Sequence, residues 1–344
     1  MSGDLPFRKK DHKIIYDISD NNSMSKMNPD SPSTKKEKGS VFEPGYIKLH
    51  RNGELNKRAK ELWAIMKECH LCPHQCGVNR VNGEVGICEA SAQLEIASYH
   101  PNFSEERVLV GSGGSGTIFF TNCSLRCVFC NNWAISQGGD GTIQSLHYLA
   151  HMMLRLQKIG CHNIHFVTPI HYSPHILFAL DKAAGRGLKI PLIYNTSGWE
   201  RLDILKELDG VVDIYLPDFK YGESKTAGKY SPDADSYPEV VKQAILEMHR
   251  QVGIAKVEKD GLVRRGLIIR HLAMPSYFTE SKKILKWIAE KLPKDTYIHI
   301  MSQYRPMYRA FEFPEISRAL KDKEFNEIIK YAQTLGLTNL YIPK

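Results

Sequence analysis

The stretch Thr117-Ile118-Phe119-Phe120-Thr121-Asn122-Cys123-Ser124-Leu125-Arg126-Cys127-Val128-Phe129-Cys130-Asn131-Asn132-Trp133 decides the reading of this 344-residue chain. Its first five residues are β-branched or aromatic and read as a strand. The strand runs directly into Cys123, Cys127 and Cys130, a Cys-x3-Cys-x2-Cys loop. Three thiolates so close together, at the carboxyl end of a strand, can converge on one metal centre. A structural zinc site takes four ligands. A [4Fe–4S] cluster offers four iron corners, so three cysteines fill three and leave one iron open. A zinc knuckle completed by a distant fourth ligand is the alternative.

Outward from this loop the pattern is regular. Short apolar β-rich runs at 117–121, 163–167, 190–195, 211–216, 266–271 and 296–301 alternate with amphipathic stretches at 142–159, 173–186, 200–208, 235–251, 278–290 and 314–334. Strand-then-helix repetition predicts a parallel sheet with right-handed crossovers. Six units are too few to close an eight-fold barrel. The expected fold is therefore α/β, a partial (β/α)6 TIM-like barrel, with its chemistry at the carboxyl ends of the strands. Three regions follow: a polar, disordered extension over 1–45, a helix at 54–69 plus a Cys-rich module with little regular structure within 46–110, and the barrel over 111–344.

The later strand ends carry the polar groups such a mouth needs. The third gives Asn195, Thr196 and Ser197, the fourth Asp218 and Lys220, the fifth Arg270, the sixth Ser302 and Gln303. Singly each has a plain explanation: Asn195 and Ser197 can cap a helix, and Asp218 and Lys220 can pair. Jointly they converge on one pocket.

The cysteine spacing, the aromatic Phe129 before the last cysteine and the asparagine after it resemble the signature loop of the radical S-adenosylmethionine (SAM) enzymes. The strand ends resemble the relatives of pyruvate formate-lyase activating enzyme, over roughly residues 65–340. The resemblance implies an oxidoreductase with a [4Fe–4S] cluster on Cys123, Cys127 and Cys130. Such an enzyme reductively cleaves SAM, and the 5′-deoxyadenosyl radical abstracts hydrogen from a substrate, here a glycyl residue of a partner protein. It further implies Lys220 or Arg270 on the SAM carboxylate, with Asp218 beside them. Phe129 would lie beside the adenine, and Asn195 and Ser197 towards the ribose or sulfonium. An electron donor such as flavodoxin or ferredoxin is the implied redox partner. One position departs from the family: where its members commonly carry Gly-Gly-Glu-Pro after the second strand, this chain reads Val167-Thr168-Pro169. Thr168 and nearby carbonyls are then the expected, neutral acceptors for the SAM amine. Radical modification of RNA, a peptide or a small metabolite stays open, as does a non-catalytic Cys-rich metal scaffold.

A second group, Cys69, Cys72, Cys76 and Cys88, has Cys-x2-Cys-x3-Cys-x11-Cys spacing. Four thiolates can close a tetrahedral zinc site or hold a second iron–sulfur cluster. Cys161 stands alone and reads as a small hydrophobe.

Composition sets the outer bounds. Apolar residues make up 42% and charged residues 24%, and the net charge is +8. No apolar run approaches a membrane span and no h-region follows the N-terminal basic residues, so a cytoplasmic, reducing location is expected. The mild basic excess has no nucleic-acid-binding module behind it, so nucleic acid is not the expected partner. Gly111-Ser112-Gly113-Gly114-Ser115-Gly116 precedes a strand and lacks a Lys-Ser/Thr ending, so it reads as a turn rather than a phosphate loop. His171 and His175 read as pocket lining or a helix start. Residues 221–235 and 303–313 are the expected substrate rim.

Overall fold

The computed structural model describes residues 42–342. The extension expected over 1–45 lies, up to residue 41, outside the described residues, and Gly45 already opens a helix. Nine strands form one sheet: β1 (Glu95–Asn102), β2 (Ser115–Phe120), β3 (Thr142–Ile143), β4 (Ile164–Val167), β5 (Leu192–Thr196), β6 (Ile214–Pro217), β7 (Gly266–Leu272), β8 (Tyr297–Met301) and β9 (Leu340–Tyr341). Their spatial order is β3-β1-β2-β4-β5-β6-β7-β8-β9. From β2 to β9 every pairing is parallel. The two ends of the sheet do not meet, so the barrel is partial, as expected.

The helices are α1 (Gly45–Arg51), α2 (Glu54–Ile65), α3 (Arg107–Val110), α4 (Trp133–Ser136), α5 (Leu146–Lys158), α6 (Ser173–Ala184), α7 (Leu202–Glu207), α8 (Ser224–Tyr230), α9 (Tyr237–Val252), α10 (Phe278–Lys291) and α11 (Asp322–Thr334). All six expected strands and their crossover helices are present. β6 is buried along its whole length, which is why its sequence, Ile214-Tyr215-Leu216-Pro217, is a continuous apolar run rather than an alternating one.

Three expectations need correction. Within the segment read as irregular, β1 pairs antiparallel with β2 and β3. Its half-exposed pattern and Pro101 are edge-strand features that weaken the period-2 signal. The stretch 314–334 is not one helix: a 3-10 turn at Pro314–Ile316 precedes α11. The region 142–159 begins as β3, and its helix starts only after Ser145, whose side chain accepts from Tyr148 N.

The segment between β1 and β2 plugs the amino-terminal end of the barrel. Leu109 of α3 packs with Ile193, Ile214, Leu216 and Ile268 in a core cluster. Asn163 Nδ2 donates to the Leu109 carbonyl at 2.7 Å. Each such aliphatic side chain contributes roughly 1.5–3 kcal/mol by leaving water. With that end sealed, the opposite end is left for a site.

Candidate active site at the barrel mouth

The carboxyl ends of β2, β4, β5, β6, β7 and β8 all contribute to one cavity of about 260 Å³. The ten residues expected to hold cluster and cofactor line it: Cys123, Cys127, Phe129, Cys130, Thr168, Asn195, Ser197, Asp218, Lys220 and Arg270; of the other strand-end groups Thr196 does and Ser302 does not. His171 and His175 do not; they are buried at the start of α6, the helix-start reading. Of the expected rim, Gln303 lines the cavity and nothing from 221–235 does. That segment instead folds as α8, with Thr226, Ala227 and Tyr230 turned inward.

The cysteine loop is held from three sides. Asn122 N donates to Ile135 O at 2.8 Å, Val128 N to Tyr230 O at 2.9 Å, and Arg309 N to Val128 O at 2.9 Å. Asn122 and Arg126 take positive φ, 68° and 46°, so the chain turns back on itself between the cysteines. Ser231 Oγ donates to Cys127 Sγ at 3.3 Å, and Ser136 Oγ lies 3.2 Å from Cys130 Sγ. Burial pushes the Cys123 thiol up to about 12, with Cys127 and Cys130 adding to the shift. Burial likewise raises Cys130. A thiol gives up its proton when a metal binds it. Among the described residues no three His, Cys, Asp or Glu side chains are drawn together tightly enough for a single ion. Cysteines on three different irons need no such tight convergence. The donor chemistry, the adjoining cavity and the cations below therefore fit a cluster with an added ligand.

Phe129 lines the cavity and is buried, with Tyr221, Tyr230 and Tyr304 packed edge-on at 6.1, 6.2 and 6.0 Å. The collar fixes its ring without filling the space in front of it. The same cavity is lined by a charged network. Lys220 Nζ donates to Asp218 Oδ2 at 2.6 Å, and Arg270 Nε to Asp218 Oδ1 at 2.8 Å. Arg270 also donates to Asn195 Oδ1 at 2.6 Å and to Glu105 Oε2 at 3.3 Å. Burial would raise the Asp218 carboxyl, but Arg270 and Lys220 outweigh it and hold the group below the usual range. Against its own burial, Lys220 is raised by Asp218. Both readings of the Asp218–Lys220 pair thus hold at once: the two do pair, and both face the cavity.

Sequence reasoning missed the residues that hold this network in place. The Tyr237 hydroxyl, from α9, accepts from Lys220 N and lies 2.8 Å from the carbonyls of both Ser197 and Asp218. Gly198, at φ 79°, permits the approach of the two loops: a Cβ there would sit 2.5 Å from Asp218 O. Glu105 reaches the cavity from the plug. Thr168 lines it too, with φ 51°, a conformation glycine adopts more easily, and its N–H donates to Asn195 O at 2.8 Å.

A link also runs to the first cysteine group. His74, between Cys72 and Cys76, donates from Nε2 to Ser124 O at 2.7 Å and packs edge-on against Trp199 at 4.6 Å.

The sequence profile of the Radical SAM superfamily matches residues 117–254. Uncharacterized protein MJ0674 of Methanocaldococcus jannaschii is 33% identical over 287 residues, 80% of this chain and 78% of that one. Two crystal structures of Streptococcus suis SuiB, bound to precursor peptide SuiA and to S-adenosylmethionine, align with TM-scores of 0.42 and 0.40 at 13% and 12% identity. They cover 64% and 66% of this chain and 46% and 45% of theirs, so the chain spans less than half their length. The family match begins on the very strand that feeds the three-cysteine loop, and with the loop's donors gathered at the mouth it shows that residues 117–254 belong to the radical SAM superfamily.

Proposed function

We propose that Cys123, Cys127 and Cys130 hold a [4Fe–4S] cluster at the barrel mouth and that the cavity beside them binds SAM for hydrogen abstraction from a polypeptide substrate. The observation that supports this most is the convergence of three thiols and the ends of six parallel strands on one cavity. When bound, the cluster supplies an electron that cleaves SAM to methionine and a 5′-deoxyadenosyl radical. The rest falls to the chain. Lys220 and Arg270 receive the SAM carboxylate, and Asp218 holds both cations in place. Thr168 and nearby carbonyls accept from the amine, Phe129 packs beside the adenine, and Asn195 and Ser197 face the ribose or sulfonium. The tyrosine collar behind Phe129 keeps water from that side, which protects a reactive intermediate.

A polypeptide is favoured by the surface outside the cavity. Trp133 stacks on Tyr308 at 5.6 Å, and Met307 and Phe311 are exposed nearby in sequence. A glycyl residue of a partner protein is the narrower reading, from the resemblance to the activating enzymes. Anaerobic incubation with SAM and a low-potential reductant tests the reaction: 5′-deoxyadenosine should form, and Cys→Ala at 123, 127 or 130 should stop it. Unchanged turnover in all three variants would overturn the assignment. Transfer of deuterium from a labelled candidate peptide, metabolite or RNA into 5′-deoxyadenosine then identifies the substrate class.

A further inference from the structure

Arg270 is ringed by carboxylates from separate parts of the chain. Its Nε donates to Asp218 Oδ1 at 2.8 Å and its Nη1 to Glu105 Oε2 at 3.3 Å. Glu106, next to Glu105 in the segment between β1 and β2, also stabilises the guanidinium charge. That segment precedes the family-matched residues 117–254. Asp218 and Glu105 line the cavity, while Glu106 is buried.

The charges of this group do not balance. Asp218 is tied to both Arg270 and Lys220. Glu105 has the longer contact with the same Arg270, and otherwise accepts from a neutral donor, the Asn102 amide at 3.2 Å. Glu106 Oε1 accepts from His299 Nδ1 at 2.6 Å, and its Oε2 is buried with no hydrogen-bond partner among the described residues. Burial would raise the Glu106 carboxyl, but the bond to His299 and the nearby Arg270 hold it below the usual range. His299 Nε2 is likewise buried without a partner, as fits a neutral ring donating from Nδ1. His165, the other imidazole near these carboxylates, is held down by burial and adds no charge. Three carboxylates thus share two permanent cations, Arg270 and Lys220. An unmatched charge away from water is costly, and a cationic guest relieves it.

We infer that Glu105 and Glu106 make the cavity selective for a ligand of net positive charge, with Glu105, on the cavity wall, as the residue that reads that charge. The inference rests on the proposed binding of SAM, whose sulfonium and amine outweigh its single carboxylate. S-adenosylhomocysteine has the same amino-acid group, ribose and adenine, but it lacks the methyl group and with it the sulfonium charge. Specificity is a difference of affinities. Contributions common to the two ligands, such as a carboxylate on Lys220 or Arg270, cancel in the ratio, so the ratio reports the charge.

The test is calorimetric binding, without reductant, to the full chain reconstituted anaerobically with iron and sulfide. The ligands are SAM, S-adenosylhomocysteine, and the analogue with an ammonium-bearing carbon in place of the methylsulfonium. Both cationic ligands should bind the wild type more tightly than the neutral one. Glu105→Gln should cut that preference by about 10-fold, and Glu105→Asp should keep most of it. Should Glu105→Gln not fold, Glu105→Ala removes the same charge and carries the same two outcomes. A preference that survives in the folded neutral variant overturns the inference, even if all three ligands bind it more weakly. So does equal affinity of the three for the wild type, or a preference for SAM that the ammonium analogue does not share. If none of the three binds the wild type, the SAM reading itself falls, and the inference with it.

Discussion

The two cysteine groups set the same side chain in opposite surroundings. At the barrel mouth, three thiols share the lining of one cavity with Lys220, Arg270 and Asn195. In the N-terminal knuckle, Cys69, Cys72 and Cys88 are buried, and the buried Arg80 points Nη1 at Cys69 Sγ from 3.9 Å. Three ligands beside open space leave a coordination place for a reactant. Four thiolates would fill a four-coordinate site and leave none. The count of cysteines thus separates a reactive centre from a structural one only when the surroundings are read with it.

The sharpest way to break this contrast is to remove one sulfur from each group. Cys127→Ala should lower 5′-deoxyadenosine formation by about 10³-fold or more, to background, because the cluster loses one of only three protein ligands. Cys72→Ala should lower the melting temperature by several degrees yet leave measurable SAM cleavage, since the knuckle reaches the barrel loop only through contacts such as His74 to Ser124. If a folded Cys72→Ala protein were as inactive as Cys127→Ala, the knuckle would have to pass electrons, and the division between the groups would fall.

Asp218→Asn sharpens the electrostatic half of the comparison. The carboxylate neutralises Lys220 and Arg270 at 2.6 and 2.8 Å. Removing one partner of a buried charge pair costs about 3–5 kcal/mol, so the ligand-free protein should melt well below wild type. Added SAM would bring its own carboxylate to the two cations. The rise in melting temperature on adding SAM should therefore be larger in Asp218→Asn than in wild type, although turnover falls. Equal rises would mean that neither cation touches the ligand.

Much of the barrel was legible because a buried parallel strand leaves a continuous apolar run, and β6 is a clear case. The mouth followed from topology: successive parallel strands place Asn195, Asp218 and Arg270 at one end. What stayed hidden had no local period. Glu105 reads as one of two acidic residues before a short helix, and only its contact with Arg270, 165 positions away, marks it. Arg80 sits in a polar, Gly-rich stretch that suggests a solvated loop, yet it is buried. Thr168 in a left-handed conformation carries no signal, because threonine rarely adopts it.

A smaller effect is expected at the seam between the regions. His171 Nε2 donates to Thr121 O at 2.9 Å, and His175 Nε2 to Ala92 O at 2.8 Å. Burial holds both rings down to about 3, with Arg80 adding to the effect. The unfolded chain protonates its histidines near 6.5. Between those values the unfolded state binds more protons, so stability is full above about pH 6.5 and is lost as pH falls towards 3. Asp213, raised to about 7 by burial, acts in the opposite sense over part of that range. His175→Gln should therefore flatten the acid limb of a melting-temperature profile. An unchanged limb would place the acid sensitivity elsewhere.

The smallest expected change in stability comes from the exposed stack outside the mouth. Trp133 is 42% exposed and Tyr308 38%, and they stack at an interplanar angle of 11°. Such a pair is worth about 0.5–1.5 kcal/mol beyond its buried area, so Trp133→Ser should shift the melting temperature only slightly. It should also leave SAM cleavage without substrate unchanged, because Trp133 does not line the cavity. If a polypeptide docks on this surface, hydrogen abstraction from it should weaken mainly through KM, on the order of 10-fold. A fall in substrate-free SAM cleavage instead would mean that Trp133 acts on the cysteine loop through α4, and the exposed aromatics would no longer argue for a polypeptide.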